Sequence, residues 1–409
     1  MIKAVSVQTA MIDDMSSACH DLKEQLGSKL ALLSNSVGIV QCDPEFIEMG
    51  IMEQLYDMLG FPLVGGTTVS IATNEAIGNH MFSILVLTSD DVEFAVSHTT
   101  GLVGDYAGSI ERSMKDSLKA SKKPLRMALV FPTVTDNEDL PGDIYVEAVI
   151  SVCGNVPVFG TLSVNDAIEI FERSMSVCNG EVFRHEMTYV LIFGNVCPRF
   201  FVATVPTQSK MIDSDATITQ ADGHIISEIN NVIAVRYFES IGFAINGKLA
   251  AGVYFVPLLV SARDEHGFSR TFVRAIVGFN ADGHAICRGK VPIGANITFG
   301  SLQGVDILQA TSEIVTRINH EQDINAVLIF SCIIRQLCVG SDALRELAIV
   351  MDSLSDGIPF VASYSGGEIS PICYDDQESA FMLTEATRNT DKSNYYNSFH
   401  NYSLIACLL

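Results

Sequence analysis

The sequence has no tryptophan, few basic residues and no long apolar run free of proline. Acidic residues outnumber basic ones by 48 to 25, which gives a formal net charge of −23. Binding to nucleic acid needs a basic face, and docking on anionic lipid needs basic clusters, so this balance argues against both partners. We therefore expect neither nucleic-acid binding nor membrane-surface binding.

A membrane span and a signal peptide are also missing from the sequence pattern. The most apolar stretch, "LAAGVYFVPLLVSA" (Leu249 to Ala262), contains Pro257 and is shorter than the roughly 20 apolar residues that cross a bilayer. The first residues, "MIKAVSVQTAMIDDMSS", lack the basic and then apolar order of a signal peptide. The sequence therefore predicts a cytoplasmic protein without membrane insertion.

The ten cysteines include no Cys-x-x-Cys pair. The closest two, Cys332 and Cys338, have no second pair that would complete a zinc site. Most of the others lie in apolar runs, which favours buried and reduced thiols. We expect no metal site and no cofactor.

Three segments of the chain share one plan. Each begins with a short apolar run that ends in small polar residues, a pattern typical of buried strands. The runs are "KLALLSNS" (Lys29 to Ser36), "RMALVFPT" (Arg126 to Thr133) and "AVLIFSC" (Ala326 to Cys332). A helical pattern follows each run, and in the third segment Ser341 is a candidate N-cap.

A second strand with proline at its head then follows in each segment: "FPLVGGTTVS", "VPVFGTLSVND" and "IPFVASYSGGE". Proline at the first strand position costs no ladder hydrogen bond. Strand-helix-strand units predict parallel pairs with right-handed crossovers, and ligands usually bind at the carboxyl ends of such strands. The glycines and hydroxyls that end these strands are therefore candidate site residues.

More alternating segments follow the repeats. "NHMFSILVLTSDDVEFAVSHT" and "RHEMTYVLIFGNVCPRFFVAT" each predict a hairpin, and "FHNYSLIACLL" is the third counterpart. All three begin near a histidine, namely His80, His185 and His400, which the pattern assigns to equivalent strand-edge positions.

Residues 266–300 have a different sequence pattern from the three repeats. This segment predicts a small antiparallel meander with a turn at Asp282-Gly283, followed by an amphipathic helix over residues 307–320. The best boundary lies in the polar stretch Thr207 to His224. We expect an α/β protein with mixed sheets covered by helices, in two domains of residues 1–215 and 216–409.

Several of these motifs together resemble the FIST domain, a sensory module of F-box and intracellular signal transduction proteins. The resemblance rests on "FPLVGGTTVSI" and "VPVFGTLSVND" for the N-terminal part. "VLIFSCIIRQLCVG", "PFVASYSGGEISP" and "FHNYSL" carry it for the C-terminal part. It covers residues from about Leu26 to Leu409 and leaves no separate output domain.

The resemblance implies an intracellular protein that binds a small ligand, such as an amino acid or a related metabolite, and signals through a partner protein. Whether the protein forms a homo-oligomer stays an open question. The candidate ligand-binding residues lie at the predicted strand ends. They are Ser331, Cys332, Arg335, Tyr364, Gly366, Gly367, Glu368, His400 and Asn401, with Gly65, Gly66, Thr67 and Thr68 from the first repeat.

Two of these residues have a structural alternative. The Arg335 guanidinium is shaped to hold a ligand carboxylate, or it forms a salt bridge, with Glu368 as the candidate partner. Glu368 in turn receives a ligand ammonium group or pairs with Arg335. Gly65, Gly66, Thr67 and Thr68 match neither a P-loop nor a dinucleotide loop, because the required lysine and glycine spacing are absent.

Two further function classes remain open on the sequence. Cys332 as nucleophile and His400 as base would make an acyl-transfer or amide hydrolase, although no acid partner is marked. An interaction scaffold without any ligand is the third hypothesis. The sensory protein is the favoured interpretation, and the enzyme stays the alternative.

Overall fold

The computed structural model describes most of the chain. The described residues are 1–102, 104–133, 142–165, 174–204, 212–253, 256–263, 269–373, 384–386 and 395–409. The mixed α/β class expected from the sequence is confirmed, because helices cover several mixed sheets.

The strands of the first half are short and mostly buried. They are β1 (Lys3–Thr9), β2 (Asn35–Cys42), β3 (Leu63–Thr67), β4 (Ile71–Thr73), β5 (Ile77–Gly78), β6 (Phe82–Ser89), β7 (Glu93–His98), β8 (Leu125–Pro132), β9 (Val158–Thr161), β10 (Ser176–Cys178), β11 (Glu181–Phe183), β12 (Met187–Phe193) and β13 (Arg199–Ala203).

The second half adds a group of strands that pair among themselves, and then returns to the pattern of the first half. The strands are β14 (Ile212–Asp222), β15 (Ile225–Ile229), β16 (Val232–Ile233), β17 (Ala244–Ile245), β18 (Lys248–Leu249), β19 (Leu258–Arg263), β20 (Ser269–Arg274), β21 (Ile276–Phe279), β22 (Ala285–Cys287), β23 (Asn296–Phe299), β24 (Val327–Cys332), β25 (Phe360–Ser365), β26 (Glu368–Cys373), β27 (Thr384–Ala386), β28 (Tyr395–His400) and β29 (Leu404–Leu408).

The helices turn an apolar face to these strands. They are α1 (Met15–Lys29), α2 (Pro44–Glu48), α3 (Ile51–Leu59), α4 (Tyr106–Ser117), α5 (Asp143–Cys153), α6 (Ala234–Ser240), α7 (Gly304–His320), α8 (Ile333–Val339) and α9 (Arg345–Ser353). The helix expected over residues 307–320 is confirmed as part of α7. Ser341 is not the N-cap expected from the sequence, because it lies in a 3-10 turn (Gly340–Asp342) and α9 begins after Leu344.

Three sheets share one strand order. An outer strand (β1, β7 or β13) pairs antiparallel with a return strand (β6, β12 or β29), which pairs antiparallel with the first crossover strand (β2, β8 or β24). The first crossover strand pairs parallel with the proline-headed strand (β3, β9 or β25), as the sequence predicts. The expected position of the first of these strands, Lys29 to Ser36, is wrong, because α1 continues to Lys29, residues 30–34 lie outside any strand and β2 begins only at Asn35. We call residues 1–89, 93–193 and 199–409 unit 1, unit 2 and unit 3.

Each sheet is completed by an antiparallel strand pair from another unit. Unit 2 donates β10 and β11 to the sheet of unit 1, unit 3 donates β26 and β28 to that of unit 2, and unit 1 donates β4 and β5 to that of unit 3. The exchange is cyclic, so the three units form a pseudo-threefold arrangement whose sheets hold strands from distant parts of the chain.

Two expected hairpins are wrong for the same reason. Strand β6 pairs with β1 and β2, whereas β7 pairs with β12; likewise β12 and β13 belong to different sheets. The turns after β6 and β12 therefore carry the chain from one sheet to the next. Alternation and a turn signal identified the strands correctly, but they do not determine which strand is the partner.

A common core joins the inner faces of the three sheets. Its members come from all three units, for example Leu85, Leu129 and Phe330. The Phe330 ring stacks on Phe159 with centroids 5.4 Å apart and meets Phe131 edge-on at 6.2 Å. The outer faces are covered by α1 to α3, by α4 and α5, and by α7 and α9.

An inserted sheet interrupts unit 3 between β13 and α7. It contains β14, β15 and β19 to β23, and it buries its own core with α6. The turn expected at Asp282-Gly283 joins β21 and β22 as predicted, but β20 and β22 pair with strands outside the expected meander. The boundary expected between residues 215 and 216 lies within β14, and the two-domain division stays a prediction.

Candidate functional site

The carboxyl ends of the proline-headed strands meet at one end of the common core. Backbone and hydroxyl groups of different units bond to one another there. The bonds run from Thr68 Oγ1 to Tyr364 O (2.5 Å), from Val164 N to Thr67 O (3.0 Å) and from Leu162 N to Gly367 O (3.0 Å). The candidate residues of the first and third repeats thus come together, in what we call the strand-end cluster.

The glycines of this cluster serve close packing. A Cβ on Gly65 would lie 1.9 Å from the carbonyl oxygen of Val40, and one on Gly66 would lie 2.0 Å from Ser163 Oγ. A Cβ on Gly367 would meet the Phe399 ring at 2.4 Å. Glycine is therefore needed because backbone and side chains approach too closely for any larger residue. These positions form no open phosphate cradle.

Arg335 forms a buried salt bridge, and its partner is Glu346 instead of the expected Glu368. Its Nε and Nη2 donate to Glu346 Oε1 at 2.9 Å and 2.6 Å, and its Nη1 donates to Tyr402 O at 3.3 Å. Ser331 Oγ donates to the other carboxylate oxygen of Glu346 at 2.9 Å. Both charged side chains are fully buried. This geometry favours the structural alternative for Arg335, because a ligand carboxylate would have to displace Glu346.

Glu346 is the residue of this cluster that the sequence reasoning missed. It lies one turn before Val350 in α9, on the face that packs against the sheet of unit 3. A carboxylate at an apolar position of the helix is the sequence signal that could have identified it as the partner of Arg335, because a buried charge needs a partner of opposite sign.

Glu368 is also fully buried and has a different environment. Ser365 Oγ donates to its Oε1 at 2.6 Å, and the Ser403 amide donates to its Oε2 at 3.3 Å. Burial raises the pKa of its carboxyl to about 8, against the opposing effect of these hydrogen bonds. By strand register, the equivalent positions in units 1 and 2 are Ile71 and Ser176. The carboxyl is thus particular to unit 3.

The surroundings of Cys332 and His400 do not favour the hydrolase alternative. Burial raises the pKa of the Cys332 thiol well above its usual value, and the nearby Glu368 carboxylate raises it further. Burial also lowers the pKa of His400 to about 4, and its Nε2 faces the carbonyl oxygen of Ser370 at 3.2 Å. An activated thiolate needs an electropositive setting and a base within reach.

His400 is not equivalent to His80 and His185. The amides of Asp43, Thr133 and Cys332 donate to the carbonyls of Met81, Glu186 and Ser403, respectively. These three acceptors directly follow His80, His185 and Tyr402 in the chain. The residue of unit 3 that is equivalent to His80 and His185 is therefore Tyr402. His400 instead ends the donated strand β28, opposite Glu368.

An open cleft lies beside the strand-end cluster, where the inserted sheet meets unit 2. It has a volume of about 610 Å³, and α5, β28 and the inserted sheet form its walls. We call it the seam cleft. Its charged and aromatic residues are Asp143 and Glu147 on α5, Tyr396 and Phe399 on β28, and Arg270, Phe272, Arg274 and Lys290 from the inserted sheet.

Ion pairs join the two sides of the seam cleft. Arg274 Nη2 lies 3.4 Å from Asp143 Oδ1, and both side chains are largely buried. Lys290 donates from its amide to Asp143 Oδ2 and from its Nζ to Glu147, each at 2.6 Å. Arg270 stacks on the Tyr396 ring with 3.7 Å between its Cζ and the ring centroid. Positive and negative groups thus face one cleft of mixed aromatic and polar character.

The seam cleft and the strand-end cluster share β28. Arg274 Nη1 donates to Phe399 O at 3.3 Å, and the Ala275 amide donates to Asn401 Oδ1 at 3.1 Å. The Arg274 charge contributes to the low pKa of His400, after burial. Of the predicted site residues, His400 and Asn401 are therefore those that connect the inserted sheet to the core.

Comparison with known proteins gives the family. The FIST N domain matches residues 3–232, and the FIST C domain matches residues 235–371. No curated protein matches the chain significantly. In the described part of the chain, no helix has the length and apolar character needed to cross a membrane. The chain therefore belongs to the FIST family, whose domains are sensory modules associated with small-ligand binding in signal transduction.

Proposed function

We propose that the protein is a cytoplasmic sensor that binds a small amino-acid-like ligand in the seam cleft and signals through a partner protein. The observation that carries this proposal is an open cleft, of ligand size, between the inserted sheet and the core. Its volume of about 610 Å³ suits a small molecule, since ligand pockets commonly measure about 300–1,000 Å³.

The residues of the cleft supply complementary groups for such a ligand. Lys290 and Arg270 offer positive charge to a carboxylate, and Glu147 offers a carboxylate to an ammonium group. The Phe272 and Tyr396 rings provide apolar surface for a side chain. An amino acid presents these three features together, whereas a neutral sugar or a nucleobase presents none of the charges.

The ligand would act on the contacts between the inserted sheet and β28. A molecule held between Lys290 and Glu147 replaces part of the existing ion pair, and so changes how the two sides meet. The adjoining bonds of Arg274 and Asn401 lead from the cleft to the strand-end cluster. In this proposal the cluster, with Arg335 and Glu368, is the rigid support against which the change is transmitted.

A thermal-shift screen of amino acids and small carboxylates tests the proposal. Ligand binding to the folded state raises the melting temperature. A free ligand concentration of about 100 times the dissociation constant adds about 2.7 kcal/mol to the free energy of unfolding. Lys290→Gln should weaken the binding of a stabilising carboxylate about tenfold, because it removes one charge-assisted hydrogen bond.

Lys115→Gln is the matched control, because Lys115 also forms an exposed ion pair, with Glu111 on α4. This control should bind the ligand as the unchanged protein does. If no amino acid or carboxylate stabilises the protein, or if both variants weaken binding equally, the proposal is wrong. Partner capture that is identical with and without ligand would instead support the scaffold hypothesis.

A further inference from the structure

A second cleft occupies, in unit 1, the place that the seam cleft occupies in unit 2. Its volume is about 630 Å³. One wall is the crossover helix α3, and another is the turn between β10 and β11, which unit 2 donates to this sheet. The seam cleft likewise lies between α5 and the donated strand β28. The third wall of this second cleft is β7, whereas the third wall of the seam cleft is the inserted sheet. We call this space the β7 cleft.

The two clefts differ in the charges that line them, because the seam cleft holds basic and acidic side chains together. Glu53 and Glu181 face the β7 cleft, and among the described residues that line it there is no lysine or arginine. Two rings, Tyr56 and His98, also line it. The His98 ring is itself stacked on Phe183 with centroids 4.1 Å apart, and its Nδ1 lies 2.6 Å from Glu186 Oε2. Carboxylates beside aromatic rings favour an organic cation and disfavour an anion.

The wall made by the donated turn is held in a fixed position. Asn179 adopts a left-handed backbone with φ of 57°, its amide donates to Leu63 O at 2.7 Å, and its Oδ1 accepts from the Leu63 amide at 3.3 Å. Gly180 packs so closely on α3 that a Cβ would lie 3.3 Å from Glu53 Cα. The cleft is therefore formed before any ligand arrives, which lowers the entropic cost of binding.

We infer that the β7 cleft is a second ligand site, and that it takes a small organic amine. The ammonium group lies between Glu53 and Glu181, and the carbon chain packs against Tyr56 and His98. This site is separate from the seam cleft, so the inference does not rest on the proposed function. It gives the protein two sites of different charge preference at equivalent positions of the pseudo-threefold arrangement.

Calorimetric titration with 1,4-diaminobutane tests the inference. The double variant Glu53→Gln/Glu181→Gln should bind the diamine at least about tenfold more weakly, because it removes both charged acceptors. Both side chains are exposed, so the variant should fold with an unchanged circular dichroism spectrum. The same variant should keep the binding of a seam-cleft carboxylate, and Lys290→Gln should keep the binding of the diamine.

The matched control is Glu24→Gln/Glu111→Gln, which removes an exposed charge from α1 and a half-exposed one from α4. A net charge of −23 attracts any cation, and this control has the same net charge as the test variant. The diamine should bind it within twofold of the unchanged protein. Equal weakening in both double variants, or no measurable binding to the unchanged protein, overturns the inference.

Discussion

Replacing Glu368 with glutamine should remove a large pH dependence of stability. The carboxyl is fully buried at the end of the strand-end cluster, and its folded-state pKa is about 8 instead of the usual 4.5. Since each pKa unit corresponds to about 1.4 kcal/mol, this gap corresponds to about 5 kcal/mol. Glutamine resembles the protonated carboxyl in shape, and it keeps a carbonyl oxygen for the Ser365 hydroxyl.

The sign of this pH dependence follows from which state of the protein, folded or unfolded, binds the proton more tightly. The folded protein holds the Glu368 proton up to about pH 8, whereas the unfolded chain releases it near pH 4.5. The contribution of this group to stability is therefore complete below pH 4.5 and is lost as the pH rises through 8. Within that window the unchanged protein should lose about 1.4 kcal/mol per pH unit relative to Glu368→Gln.

Urea denaturation at pH 6, 7 and 8 measures this difference directly. The free energy of unfolding of the unchanged protein should fall relative to that of Glu368→Gln as the pH rises, and the variant should be the more stable protein at pH 8. Glu111→Gln, on the exposed face of α4, is the control and should run parallel to the unchanged protein. Parallel curves for Glu368→Gln as well would refute the assignment of a raised pKa to this carboxyl.

Three further changes test other parts of the fold. Arg335→Met should destabilise the protein by about 3–5 kcal/mol in urea denaturation, because it leaves a buried carboxylate without its partner; an effect below 1 kcal/mol would contradict this. Gly160→Ala should cost about 3 kcal/mol, since its Cβ would lie 2.0 Å from a backbone carbonyl, whereas Gly27→Ala, with open space inside α1, should stabilise by about 0.5–1 kcal/mol. Among the cysteines whose side chains the structure describes, iodoacetamide followed by mass spectrometry should label the exposed Cys197 first, and Cys332 only on unfolding; early labelling of Cys332 would support the hydrolase alternative.

Much of the local structure could be predicted from the sequence. Three parallel crossover pairs are predicted from apolar runs, helical patterns and proline-headed strands. The structure contains all three, but β2 spans Asn35–Cys42 instead of the expected Lys29 to Ser36. The amides of Gly38, Ala128 and Val327 donate to the carbonyl of the proline that heads the neighbouring strand. At that position the carbonyl oxygen of the proline accepts a hydrogen bond, and the missing N–H group costs none. The proline at the head of each second strand therefore has a local cause.

The site could be predicted less well, for an electrostatic reason. The sequence identified Arg335 and Glu368 as residues with unusual surroundings, but their spacing could not show that Glu346 lies nearer to the guanidinium. The two buried carboxyls differ in their partners: Glu346 forms a salt bridge with Arg335, whereas Glu368 accepts from the Ser365 hydroxyl and the Ser403 amide. Neither cleft has a sequence motif, because each is lined by elements far apart in the chain.

The sequence by itself determined most of the strands, the helix that follows the first strand of each repeat, and that polar residues end the buried strands. It predicted neither α1 nor α4, and it misplaced β2. Only the tertiary structure decided that each sheet is completed by an antiparallel strand pair from another unit, and that β6 and β12 lead into new sheets. The physical reason is that every strand edge offers the same backbone donors and acceptors. Partner choice therefore depends on packing of all three sheets around one core, which no local pattern encodes.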